Sequence, residues 1–146
     1  MIDLDIRKKV AQLKKKYGTN NPFELASCLG ISVFFEELGS INGYYNRQLR
    51  MKQIHINHHL PEHIQKFTCA HELGHALLHP NSNTPFLRNH TGFSIDRMEI
   101  EADKFAIELL IPENELIEHQ DFTTDQLSRL FGYHTRLIEL RMKGGI

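Results

Sequence analysis

Apolar residues recur at helical spacing along the first stretch of the chain. Ile6, Val10, Leu13 and Tyr17 share one face, and Lys8, Lys9, Lys14, Lys15 and Lys16 fall largely off it. The pattern predicts an amphipathic helix that ends near Gly18 with its lysines in water. Asn21-Pro22 reads as a cap followed by proline in the first turn, opening a short helix through Cys28 that Gly30 stops. The period then shortens. Ile31–Phe35 reads as a strand, as do Tyr44-Tyr45 and Gln53–Asn57 on either side of the polar stretch Asn46–Lys52, with a turn over Gly39–Gly43. Pro61 opens a long helix that Pro80 closes, and Asn81–Gly92 is a polar loop. Ser94 or Asp96 can cap a further helix reaching about Leu110, and Pro112 begins a shorter one. Thr123-Thr124-Asp125-Gln126 is a capping-box start, and a final helix covers about Thr135 to Lys143. Many helices around a small sheet of about three strands make a mostly helical α+β fold. The closing pair, at about 123–143 around Gly132, has the length of a helix-turn-helix.

The long central helix carries His71-Glu72-Leu73-Gly74-His75, an HExxH pattern. Residues four apart stack on one helical face, so the imidazoles of His71 and His75 can converge on one ion with Glu72 beside them as a base. Ile64, Phe67, Thr68, His71, His75 and Leu78 share that face, so both histidines point inward. An inward histidine pair is more often core packing than a metal site, and a third ligand is what would reverse those odds.

A nearby histidine does not supply it. The metzincin pattern needs Gly at 78 and His at 81, where Leu78 and Asn81 stand. His79 lies two turns from His71, about 12 Å along the axis, too far to share one ion with both histidines, and reads more simply as a histidine near a helix C-terminus. The next helix offers carboxylates. Met98, Ala102, Phe105, Ala106 and Leu109 define its apolar stripe, with Glu99 and Asp103 on the edge at i and i+4, while Glu101, Lys104 and Glu108 share the opposite, wet face. Glu99 is therefore the better ligand. Asp103 is placed to accept the second N–H of a ligating histidine, or else to pair with a Lys or Arg. Ala102 and Ala106 would let the two helices approach closely.

A chain of 146 residues, 40% apolar, suits one domain over 1–146. Its net charge of −1 gives no general pull toward nucleic acid or an acidic membrane. Cys28 and Cys69 match neither a zinc-ribbon nor a redox spacing, and no apolar run approaches a membrane span or a signal-peptide core. A soluble, cytoplasmic protein with free thiols is expected.

Three segments together resemble the ImmA/IrrE family of zinc metallopeptidases: Phe67–His79, Glu99–Ala106 and Leu109-Leu110-Ile111-Pro112. Ile54–Asn57 and Leu25–Ile31 fit as well, so the likeness covers most of the chain. It implies a zincin-like fold, a zinc ion held by His71, His75 and Glu99, and Glu72 as the catalytic glutamate. Members are typically encoded beside phage-type repressors, which implies a helix-turn-helix repressor as the substrate.

Such a site would polarise a peptide carbonyl while Glu72 acts as base and later as acid. An extended substrate would lie against a sheet edge, for which Ile54, His55, Ile56 and Asn57 are the natural candidate. Tyr44, Tyr45, His79 and His90 are the chemically suitable donors for the oxyanion, although tyrosines in strands are more often packed in the sheet. Two other functions compete with an endopeptidase. One is a module that inhibits a transcriptional regulator by docking without cutting. The other is a DNA-binding regulator using Arg129, Arg136, Arg141 and Lys143, which the near-neutral chain weakens.

Overall fold

The computed structural model describes the backbone of residues 2–84 and 93–143 and the side chains of residues 5–84 and 97–143. Among these residues the elements run α1 (Ile2–Tyr17), α2 (Pro22–Cys28), β1 (Ser32–Glu36), β2 (Gly43–Gln48), β3 (Met51–Asn57), α3 (Glu62–Leu78), α4 (Phe93–Leu110), α5 (Glu113–Glu118), α6 (Thr124–Phe131) and α7 (Thr135–Met142). The fold is α+β and mostly helical.

Local chemistry explains where several helices begin and end. Asn21 Oδ1 accepts from the N–H groups of Phe23 and Glu24, two donors that the first turn of α2 cannot satisfy itself. Thr123 and Gln126 form a reciprocal capping box at the start of α6, and Gly132 ends that helix at φ 80°, a left-handed conformation that favours glycine. The side chains of Ser94 and Asp96, and the whole of His90, lie outside the described residues.

The polar stretch Asn46–Lys52 is not a gap between short strands; it carries the hairpin itself. Asn46 pairs with Gln53, Arg47 with Lys52 and Gln48 with Met51, which leaves Leu49 and Arg50 as the turn, Leu49 at φ 58°. Residues 47–51 are all exposed, Leu49 and Met51 included, so this end of the ribbon projects past the core.

The strand order is β1-β3-β2, with β3 parallel to β1 and antiparallel to β2. This corrects the expected substrate edge: Ile54, His55, Ile56 and Asn57 lie in the central strand, whose edges are both paired. A short loop fixes β2 beside β3, but nothing local says which flank β1 will take. Ile54 and Ile56 are fully buried. His55 turns to the outer face between the rings of Phe34 and Tyr44, with centroids 5.3 and 4.4 Å away. Asn57 donates to the carbonyls of Gly39 and Ile41 and braces that turn.

The core lies between the sheet and the helices. Tyr45, Ile54 and Ile56 pack with Cys69, Ala70 and Leu73 of α3, with Leu25 and Ala26 of α2, and with Ile6, Val10 and Leu13 of α1. A second cluster joins Ile107 and Ile111 to Leu116, Leu127, Leu137 and Ile138, so α4 contributes to both. Glycine permits two close approaches to α3. A Cβ on Gly43 would stand 2.6 Å from Thr68 Cγ2, and one on Gly74 would stand 3.1 Å from Phe105 Cβ and 3.2 Å from Ala102 Cα.

Because α4 is covered by α1, α3 and α7, it has no wet face over its second half: every residue from Ala102 to Leu109 is buried. This corrects the reading of Lys104 and Glu108, which are 1% and 4% exposed. Glu108 Oε2 faces Lys104 Nζ at 2.7 Å, Arg7 Nη2 at 3.3 Å and Arg141 Nη1 at 3.4 Å. Lys104 Nζ also donates to the carbonyls of Leu140 and Lys143, tying the end of α7 to α4. Periodicity puts charges opposite an apolar stripe whether that side meets water or other charges.

Cys69 is fully buried, and burial, with help from nearby Glu72, pushes its thiol up to about 12, whereas Cys28 is exposed. An aromatic disulfide reagent should therefore titrate Cys28 promptly in the folded protein and Cys69 only after unfolding. Two fast thiols would show that Cys69 is not packed in this way.

Candidate metal centre

The i, i+1, i+4 spacing on α3 brings His71, Glu72 and His75 to one side of the helix, where they are 8%, 1% and 0% exposed. From α4, Glu99 reaches across and bridges the two rings. Its Oε2 is 3.0 Å from His71 Nε2 and its Oε1 is 2.9 Å from His75 Nε2. Asp103, one turn further along α4, accepts from His71 Nδ1 at 2.8 Å. Its other oxygen is 3.2 Å from Arg136 Nη1 on α7. Both roles considered for Asp103, ring orienter and ion-pair partner, are thus present in one carboxylate.

The electrostatics are those of a site made for positive charge. Burial alone would lower the pKa of His71, but its bonds to Asp103 and Glu99 and the nearby carboxylates outweigh that and push it up to about 10. Burial works against the charged form of Glu99 as well, yet the two imidazoles hold it well below the usual carboxylate range.

The donor set fits a metal ion. One ring nitrogen each of His71 and His75 and an oxygen of the Glu99 carboxylate lie within 4.8 Å of one another. The two contacts from Glu99 to the imidazoles, 3.0 and 2.9 Å, are close to the roughly 3.3 Å edge of a tetrahedron built with bonds of about 2.0–2.1 Å. Two other groups among the described residues, Glu37-His58-His59 and Glu115-Glu118-His119, could also gather around an ion, but no histidine in either is buried.

A cleft of about 160 Å³ opens beside the centre, lined by Asn42, Phe67, Thr68, His71, Glu72 and Asp103. Thr84 closes one side of Glu72, its Oγ1 lying 3.3 Å from Oε1. The same hydroxyl accepts the Tyr45 N–H at 2.6 Å and lies 2.9 Å from the Tyr45 carbonyl, so it caps the outer edge of β2. Arg47 N–H is capped likewise by Asn83 Oδ1 at 2.7 Å.

The remaining candidates lie elsewhere. Tyr45 is fully buried and donates its hydroxyl to the Pro80 carbonyl, and Tyr44 stacks on His55 on the outer face of the sheet. Neither tyrosine lines the cleft. His79 does not face the cleft either: its Nδ1 lies 3.1 Å from His75 Nδ1, and its Nε2 lies 2.7 Å from Glu101 Oε1. Burial lowers its pKa from the ordinary histidine value, against the pull of Glu101. Glu101, expected on the wet face, is thus half-buried against α3. Sequence reasoning missed Glu101, Arg136 and Thr84 as neighbours of the centre. The i+4 step from His75 to His79 was the one local signal for the first of them; the other two arrive through tertiary packing.

Comparison with known proteins agrees with this architecture. The family model described as an IrrE N-terminal-like domain matches residues 26–143. The chain is 42% identical over 139 residues to uncharacterized immunity region protein 2 of Bacillus phage phi105, covering 93% of this chain and 88% of that protein. It is 36% identical over 132 residues to metallopeptidase ImmA of Bacillus subtilis (strain 168), covering 86% of this chain and 77% of that one. A solved Mycobacterium tuberculosis transcriptional regulator shares the fold, with a TM-score of 0.62 at 18% identity. That match covers 94% of this chain and 46% of the regulator's. With the family model spanning most of its length and close relatives matching nearly end to end, this chain belongs to the ImmA/IrrE family of metallopeptidases.

Proposed function

We propose that the protein is a zinc-dependent endopeptidase that cuts a helix-turn-helix repressor of the phage type. The observation that carries this reading is the meeting of two buried imidazoles and the Glu99 carboxylate beside Glu72, at the wall of a cleft. Zinc would be held by His71, His75 and Glu99, and when bound it would polarise the scissile carbonyl and acidify water near neutral pH. Asp103 holds the His71 ring so that Nε2 faces the centre, and Arg136 pairs with the other oxygen of that carboxylate. Glu72 takes the proton of the attacking water and delivers it to the leaving amine. The repressor as substrate draws support from the phage relative, which is named for an immunity region.

A cytoplasmic setting fits the two free cysteines and the repressor reading. Among the described residues no helix is long and apolar enough to cross a membrane. A DNA-binding role for the last two helices loses Arg141, which is buried against Glu108, while Arg136 pairs with Asp103 at its exposed end.

The test is to incubate the zinc-loaded protein with the repressor encoded beside it and weigh the products. Discrete fragments that disappear with a chelator are expected. An intact repressor held in a stable complex would instead establish a module that inhibits by docking.

A further inference from the structure

The two histidines of the centre have different partners at Nδ1. His71 meets a carboxylate, Asp103, at 2.8 Å. His75 meets another imidazole, His79, at 3.1 Å, and His79 in turn meets Glu101 at 2.7 Å through its far nitrogen. Arg97 Nε stands 3.5 Å from the second oxygen of Glu101.

Proton counting allows one useful arrangement. To present a lone pair to a cation at Nε2, His75 must carry its proton on Nδ1. That proton can be donated to His79 only if His79 Nδ1 is bare, which puts the His79 proton on Nε2. Nε2 is the atom that faces Glu101, an acceptor. The side chains of His75 and His79 are 0% and 8% exposed, so water does not compete freely for these positions.

We propose that His79 and Glu101 form a positioning relay that fixes the tautomer and the ring orientation of His75, leaving its Nε2 free to bind the metal. The proposal rests on the zinc reading above and assigns a purpose to two residues that do not touch the ion themselves. His79 approaches His75 from the side opposite Nε2, so it acts through that ring and not as a fourth ligand.

The test measures zinc affinity by competition with a chromophoric chelator and the visible spectrum of the cobalt(II)-loaded protein. His79→Leu and Glu101→Ala should each weaken zinc binding by about 10–100-fold and alter the cobalt spectrum. His79→Asn and Glu101→Gln, which keep an acceptor for the neighbouring N–H, should stay near the parent on both. The double variant His79→Leu/Glu101→Ala should bind no more weakly than His79→Leu alone, because Glu101 works through His79. Melting of the metal-free forms identifies any variant that fails to fold. If His79→Leu and His79→Asn lose affinity equally, or if both disruptive variants bind like the parent while His71→Ala binds no zinc, the relay is wrong. A parent that takes up no zinc, or a His71→Ala variant that binds it normally, overturns the metal reading underneath instead.

Discussion

Glu72→Gln should bind zinc as well as the parent does and cleave the repressor about 10²–10⁴ times more slowly, the usual loss when a general base is removed. The substitution is nearly isosteric. Gln offers an oxygen where Thr84 Oγ1 lies 3.3 Å from Oε1, and it disturbs none of the bonds from Glu99 or Asp103 to the imidazoles. What it lacks is a place to put a proton. The comparison needs single-turnover rates together with metal content for each form, so that a weakly loaded sample is not mistaken for a slow one. A variant that cuts as fast as the parent would remove Glu72 from the mechanism while leaving the metal ligands untouched.

Glu108→Ala should cost about 3–5 kcal/mol of stability, read as a shift in urea midpoint, because it leaves buried positive charge without its counter-ion. Lys104 and Arg141 are 1% and 4% exposed at the side chain, and Glu108 Oε2 is the carboxylate oxygen that both face; Arg7, 28% exposed, can turn to water. A typical domain has about 5–15 kcal/mol in total, so the loss is a large share. A change under about 1 kcal/mol would mean that the two cations find relief the structure does not show.

Local rules carried the chain a long way. Asn21, Thr123, Gln126 and Gly132 mark helix ends because capping involves only neighbouring backbone, and His71 and His75 share a face because four residues make about one turn. Glu99 was separable from Glu101 by its place at the edge of the stripe. The same stripe misjudged Glu101, Lys104 and Glu108, since an amphipathic pattern reports only that a charge is kept from apolar contact. Whether His79 or Arg141 waits on the other side depends on how whole helices dock. The order β1-β3-β2 was hidden for the same reason: a hairpin is local, while the parallel partner of β3 comes from a strand on the far side of β2 in sequence.

The pattern HExxH leaves its fourth position open to any residue, but Gly74 shows that this chain has used it as a ruler. With no side chain there, the backbone of α3 comes to rest against Ala102, and a single added carbon would sit 3.2 Å from Ala102 Cα. Glu99 spans two rings at 3.0 and 2.9 Å from the other helix, so a wider gap between the axes would stretch both contacts together. Three letters of the pentapeptide are chemistry. The glycine sets the distance over which that chemistry can act.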